Sequence, residues 1–427
     1  METRMRRVGE SIEPRPIESR RVRISALLCL MVATVGAGCT AAPEPAPEYA
    51  RPLPPGGVAL RLVESGTGPD LVAAWRNREA GLLDSLDESL EWYAAPSSRA
   101  KFPYEVSRPG GIRSISHAEA QASVAAFRDL VVESRDAAEF ERRVRDRFEV
   151  YESVGWDGSG TVLFTGYFAP EFDASATRTA TFTSPIHRRP PDLVTAPDGT
   201  PLGRRLRDGR IVPWPSRAEL MRSGALDGLE LYYLPDGLDA YLIEVNGSAK
   251  LRLPDGSIRH VGYAGKTGRP YVGLGQSLVD EGIVPEDRLN LAAIRRLHRE
   301  DPALIRRLMD RNENCVFFMD YDGEDWPEGS LGVRVTPRAS IATDKKVYPP
   351  GAVAVVDTRR AGHDPRADFT AFMLDQDTGG AIQAPGRCDI FMGIGPQAEV
   401  LAGGQYAEGE LYYLFLAPGE SPSPMEP

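Results

Sequence analysis

Three carboxylates, Asp375, Asp377 and Asp389, fall within 15 residues near the C-terminus, in a stretch punctuated by Gly379, Gly380, Gly386 and Gly393. Glycine lets a backbone adopt positive φ or approach a neighbour closely, so acidic groups can be held on tight turns. Asp389 opens the apolar run Asp389-Ile-Phe-Met, which reads as a buried strand. An acid at a strand end, aimed into a cleft, is a candidate proton donor. Aspartate beside glycine is also ordinary turn chemistry, and on these residues alone both readings stand. The five histidines are scattered and the four cysteines form no Cys-x-x-Cys pair, so neither a metal site nor a cofactor is expected.

The elements around this stretch set its context. A chain of 427 residues holds two or three domains. A formal net charge of −11 argues against a nucleic-acid partner. Strongly anionic substrates would be repelled too, whereas a neutral carbohydrate needs no charge match. At the start, Arg20-Arg21-Val-Arg23 precedes an apolar core that ends in Gly36-Ala37-Gly38-Cys39. This has signal-peptide form and is too short to span a membrane as a helix. Its end resembles a bacterial lipobox, which makes Cys39 the expected lipidation site; plain secretion with Cys39 removed is the competing reading. Thr40, where an Asp would suggest inner-membrane retention, points to an outer-membrane anchor. Residues 40–57 are Pro-rich and read as a semi-extended tether.

Helical spacing marks residues 70–97, with Leu82, Leu83, Leu86 and Leu90 on one side. Ser116-His-Ala-Glu119 is a capping box opening a helix over about 117–133, and an Arg- and Glu-rich helical stretch follows over 136–151. From Thr161-Val-Leu-Phe-Thr-Gly-Tyr-Phe168 onward the texture is β-rich, with short runs broken by Pro- and Asp-Gly turn signals to about residue 325. One helical segment interrupts them: Leu291–Glu300, then Asp301-Pro302 capping a second piece to Met309. Strands are expected again at 332–336, 352–357, 369–374 and 411–416, and residues 419–427 read as a disordered tail. The fold class expected is mainly β with N-terminal helices.

Several of these stretches, in order, resemble the membrane-bound lytic murein transglycosylase A family with its three-aspartate domain. Thr165-Gly-Tyr-Phe-Ala-Pro170 looks like the family's Thr-Gly-Tyr-Tyr-x-Pro signature, and Ser184-Pro-Ile-His-Arg-Arg-Pro190 fits the segment after it. Val261-Gly-Tyr-Ala-Gly-Lys-Thr-Gly-Arg-Pro-Tyr271 and Asn312-Glu-Asn-Cys-Val-Phe-Phe318 match two further motifs. Leu331–Asp344 with Pro350-Gly351, then the acidic stretch with Gly393-Ile-Gly395, complete the set. The resemblance covers about residues 150–417. Lys266-Thr267 and Gly273 depart from the family pattern on the insert side.

The resemblance implies a double-psi β-barrel built from residues 58–170 plus 327–418. It also implies a second small β-barrel domain inserted over 171–326, with a glycan-binding cleft between the two. It maps the three aspartates onto Asp344, Asp377 and Asp389, with Asp389 as acid/base. Thr165, Gly166, Tyr167, Gly380, Gly393 and Gly395 are the candidate sugar contacts; core packing is the alternative for Tyr167 and Phe168. A phosphate-loop reading of Gly393 and Gly395 fails because no Lys-Ser/Thr follows. Cys315 and Cys388 stand where the family does not usually have cysteine, and in an exported chain they are candidates to pair.

The implied reaction cuts the β-1,4 bond between N-acetylmuramic acid and N-acetylglucosamine in peptidoglycan. Ordinary glycosidases need two carboxylates. Here the muramyl C6 hydroxyl attacks its own anomeric carbon, giving a 1,6-anhydro product. One acid therefore suffices, provided it is still protonated near neutral pH. The implied partners are peptidoglycan glycan strands and an outer-membrane lipid anchor in the periplasm; complexes with murein synthases fit the same picture. Two other classes stay open on the residues: a double-psi barrel hydrolase, and a non-catalytic wall-binding lipoprotein.

Overall fold

The computed structural model describes residues 47–420 except 65, 198, 286–287, 322–325 and 360–367. The expected export signal, the lipidation position Cys39 and residues 421–427 lie outside the described residues.

The chain opens with β1 (Leu60–Leu62), α1 (Leu71–Arg76) and α2 (Leu82–Ala94). The 70–97 pattern is thus two helices: Asp70 caps the first, whose C-cap is Asn77, and Gly81 precedes the second. Leu82 and Leu86 are buried, but Leu83 faces outward, so the apolar side is narrower than its four leucines suggest. A hairpin, β2 (Tyr104–Arg108) and β3 (Gly111–Ile115), runs into α3 (His117–Glu133). The capping box forms as expected, with both reciprocal Ser116–Glu119 bonds present. The next helix, α4 (Ala137–Arg147), gives way directly to β4 (Phe148–Ser153), and β5 (Val162–Ala169) follows.

The middle of the chain holds β6 (Glu171–Asp173), β7 (Ser184–His187), β8 (Leu193–Thr195), β9 (Pro201–Arg205), β10 (Ile211–Val212) and α5 (Arg217–Ser223). It continues through β11 (Glu230–Leu234), α6 (Gly237–Asn246), β12 (Ala249–Arg252) and β13 (Ile258–Lys266). Then come α7 (Leu274–Asp280), α8 (Leu291–Glu300), α9 (Pro302–Met309) and β14 (Val316–Tyr321). The helices α5, α6 and α7 were not expected. Pro235-Asp-Gly237 reads as a turn, but Asp236 accepts from the Leu238 and Asp239 amides and starts α6. Among the described residues the strands form three separate sheets, β14-β13-β12-β6, β10-β9-β8 and β11-β7, rather than a single small barrel.

The C-terminal part holds β15 (Ser340–Ala342), β16 (Val353–Arg359), β17 (Asp368–Asp377), β18 (Arg387–Ile394), α10 (Gly395–Gly404) and β19 (Tyr406–Leu416). Residues 332–336, expected as a strand, contribute only an isolated bridge between Glu328 and Arg334. These strands join the N-terminal ones in a ten-stranded sheet of order β16-β17-β15-β18-β5-β19-β4-β1-β2-β3, and β16 also pairs with β19. One side is sealed by α1–α4: Phe127 and Phe140 meet Phe372 of β17 at 5.0 and 5.5 Å, edge to face.

The expected cysteine pairing does not form. Cys388 is buried in the main core, and Cys315 lies in a separate cluster with Trp214 and Phe317; both are free thiols. The part of the proposed tether that is described lies on the body. Tyr49 donates to Glu408 at 2.8 Å and packs edge-on against Trp156 at 5.9 Å. A Pro-rich composition gave no sign of these two aromatic contacts.

Candidate active site

Strand register, rather than sequence proximity, assembles the candidate residues. Asp377 pairs with Ala342, Ala342 with Asp389, and Asp389 with Thr165, across β17, β15, β18 and β5. Thr165 pairs in turn with Tyr406 of β19. Paired residues on adjacent strands project to the same face, so Ala342, Asp389, Thr165 and Tyr406 form one row across the sheet, and a register shift in the β15–β17 pairing brings Asp377 beside it. Asp389 is the third residue of β18, not its first, because Arg387 and Cys388 already belong to the ladder. Cys388 and Ile390 turn inward to the core, leaving Asp389 on the opposite face.

The row is left open between two covered flanks. On one side, Arg387 pairs with Leu163 and Leu163 with Glu408. Tyr49 and Trp156 lie over this flank, and a Cβ at Gly386 would sit 2.5 Å from each. On the other side, Phe391 pairs with Tyr167, the two rings lie 5.2 Å apart, and Trp326 and Val335 bury them. Asp377, Asp389 and Thr165 are partly exposed between the flanks.

Asp389 has the electrostatics of a proton donor. Its Oδ1 is buried and has no hydrogen-bond partner among the described residues. Burial pushes its carboxyl up to about 6, the Arg387 guanidinium opposes that rise, and the charge of Asp377 adds to it. Arg387 donates to the Thr165 hydroxyl at 3.2 Å, so the opposing cation is tied to the residue paired with the acid.

The other two mapped aspartates are engaged differently. Asp377 accepts from the Tyr167 hydroxyl at 2.9 Å and from the Ser330 and Thr378 amides at 2.8 Å each. It is a fixed acceptor, and Tyr167 is its donor as well as a packing residue. Asp344 accepts from the Lys346 amide at 3.0 Å and from the Ala384 amide at 2.9 Å. Ala384 has φ of 64°, so Asp344 pins the strained turn that leads into β18.

Two buried groups that the sequence reading left without a role support this row. Asp375 is fully buried, ion-paired to Lys345, and accepts from Thr343 at 2.7 Å and Tyr413 at 2.8 Å. Burial raises its carboxyl while Lys345 counters that rise. Gln376, also fully buried, accepts from Ser85 at 2.9 Å and donates to the Ser85 carbonyl at 2.7 Å and Ser89 at 3.0 Å. That network ties α2 to the end of β17. The only hint in the sequence was a polar residue set between two acids.

The glycines divide. Gly166 makes a close approach: a Cβ there would lie 2.8 Å from the Ala402 Cα of α10. Gly395 starts α10, followed by Pro396 in the first turn, and has φ of 79°. Gly393, with φ of 111°, lies in the register shift between Phe391 and Ile394. Gly380 is exposed, with open space about it. Tyr271, from the middle of the chain, has its phenol raised by burial and by the charge of Asp389, which brings it within electrostatic reach of the acid. No group of three or more His, Cys, Asp or Glu suited to a metal occurs among the described residues.

Fold and site together define a chain of two recognisable parts. Residues 163–319 match the MltA specific insert domain, and residues 339–415 match the 3D domain. Membrane-bound lytic murein transglycosylase A of Escherichia coli (strain K12) is 32% identical over 278 residues, which is 64% of this chain and 70% of the relative. The Vibrio cholerae enzyme of the same name is 30% identical over 282 residues, 64% and 71% of the two chains. Among solved structures, E. coli MltA with bound chitohexaose has a TM-score of 0.63 at 25% identity, covering 87% of this chain and 97% of the other. A membrane-bound lytic murein transglycosylase from Agrobacterium tumefaciens shares the fold, with a TM-score of 0.68 at 24% identity over 84% and 98% of the two chains. The chain belongs to the membrane-bound lytic murein transglycosylase A family.

Proposed function

We propose that this chain is a peptidoglycan lytic transglycosylase in which Asp389 alone is the acid and base. The observation that carries the reading is the Asp389 carboxyl: on a partly exposed row of the sheet, with one buried oxygen lacking a partner among the described residues, and held near 6. Protonated Asp389 gives its proton to the departing N-acetylglucosamine O4 as the C1–O4 bond breaks. The resulting carboxylate takes the proton of the muramyl C6 hydroxyl as C6–O attacks C1. No water enters, and the enzyme returns to its starting protonation state. Asp377, fixed by Tyr167, keeps negative charge near the acid, and Asp344 holds the turn before it. The names of the curated relatives, and the chitohexaose held by the E. coli structure, support a β-1,4 glycan substrate.

The six strands β16, β17, β15, β18, β5 and β19 are read as a double-psi barrel, supported by the pairing of β16 with both β17 and β19. Residues 58–170 plus 327–418 would form that catalytic domain, with 171–326 as a β domain facing it across the glycan-binding cleft. Lipidation at Cys39, an outer-membrane anchor in the periplasm and association with murein synthases belong to the same proposal, supported by the membrane-bound naming of the relatives. Asp389→Asn tests the reaction. The variant is expected to bind murein and release no anhydromuropeptide; full activity would transfer the role to another group.

A further inference from the structure

The row does not end at Thr165. Its next member is Tyr406, the first residue of β19, directly paired with Thr165. Its side chain is 58% exposed, whereas Leu411, Tyr412 and Tyr413 on the same strand are buried. Two residues on, Glu408 accepts from the Tyr49 hydroxyl, so the next position along this face of β19 is already engaged. Asp389 and Tyr406 are separated by two strand spacings, about 10 Å. One pyranose ring of a β-1,4 glycan advances by close to one such spacing. The C–H face of a pyranose is apolar and flat, and an exposed phenol ring offers a matching surface.

We propose that Tyr406 is a stacking platform for an N-acetylated pyranose about two ring positions from the bond that is cut. The platform rests on the transglycosylase reading and adds to it a direction for the substrate: the glycan runs across the strands, from Asp377 over Asp389 to Tyr406. The row is then polar at one end, where the reaction occurs, and aromatic at the other. Tyr406 is a binding residue here and takes no part in proton transfer.

The test uses Asp389→Asn as background, so that the ligand survives, and calorimetry with chitohexaose. Adding Tyr406→Ala is expected to weaken binding roughly five- to tenfold, the range of one aromatic contact, while Tyr406→Trp stays within about twofold of the background. Thermal unfolding of each variant controls for folding; if the alanine variant is destabilised, comparing Tyr406→Phe with Tyr406→Gln makes the same measurement. Equal affinity in the alanine and tryptophan variants overturns the platform and leaves the transglycosylase reading intact. If the Asp389→Asn background binds no hexamer at all, both fall together.

Discussion

At the scale of single residues, the account turns on a carboxyl that must hold its proton. With Asp389 near 6, the reactive form is lost as pH rises through that value, so kcat/KM is expected to fall about tenfold per unit on the alkaline side. Arg387 lowers the acid's affinity for its proton, so Arg387→Met should move that limb to higher pH; a pH–rate profile measures both. Stability carries the same sign. The folded-state value lies above the roughly 3.9 of an unfolded aspartate, so the native state loses stability as pH rises between the two. Asp389→Asn should therefore be more stable than wild type at pH 8, by about 1–2 kcal/mol after allowing for partial exposure. Below pH 4 that gain should vanish, as denaturant titration at both pH values would show. Tyr167→Phe strips Asp377 of its hydroxyl donor and should cost about 1–2 kcal/mol of transition-state stabilisation, a roughly five- to thirtyfold loss in kcat. Asp377 and Asp389 were legible in the sequence because an acid in a Gly-rich stretch stands out. Arg387, Gln376 and Tyr406 were not, since their roles depend on which strand lies beside them, and register across non-consecutive strands leaves no local mark.

Individual elements show where local signals hold and where they mislead. Capping chemistry read correctly for α3 and for α9, where Asp301 accepts from the Leu304 amide ahead of Pro302. The same vocabulary misled at α6, because Asp-Gly pairs start helices as readily as they make turns. Gly166, a candidate sugar contact, also lets α10 approach β5, and Gly395, another, opens α10. Gly166→Ala should destabilise the chain by about 1–3 kcal/mol through overpacking on Ala402. A readout of thermal stability alongside glycan affinity separates this from a binding role: loss of affinity with an unchanged melting temperature would favour the contact reading. The buried Ser85–Gln376 network explains why α2 belongs to the site although it carries no chemistry. Replacing Gln376 with Leu leaves buried Ser85 and Ser89 short of partners and should cost about 2–4 kcal/mol.

At the scale of the whole molecule, distant parts of the chain meet near Asp389: Thr165 and Tyr167 from β5, the phenol of Tyr271 that feels its charge, and the acids of β17 and β18. The change from helical to β texture near residue 160 was legible in the sequence, and it falls where β5 begins. Short strands between turn signals fit a small barrel, a sandwich or several separate sheets alike, and the described strands of the middle of the chain form three sheets. Among the described residues, Tyr49 and Trp156 sit on one flank and Trp326 on the other, with Asp389 partly exposed between them.

The central claim is that one carboxyl does the work of two without water entering. Mass spectrometry of the muropeptides released from purified murein tests it most directly, on the wild-type chain and on Asp389→Asn. The account predicts wild-type products lighter by one water than hydrolytic ones, and none from the variant. Fully hydrated products, or anhydro products released undiminished by the variant, would contradict it.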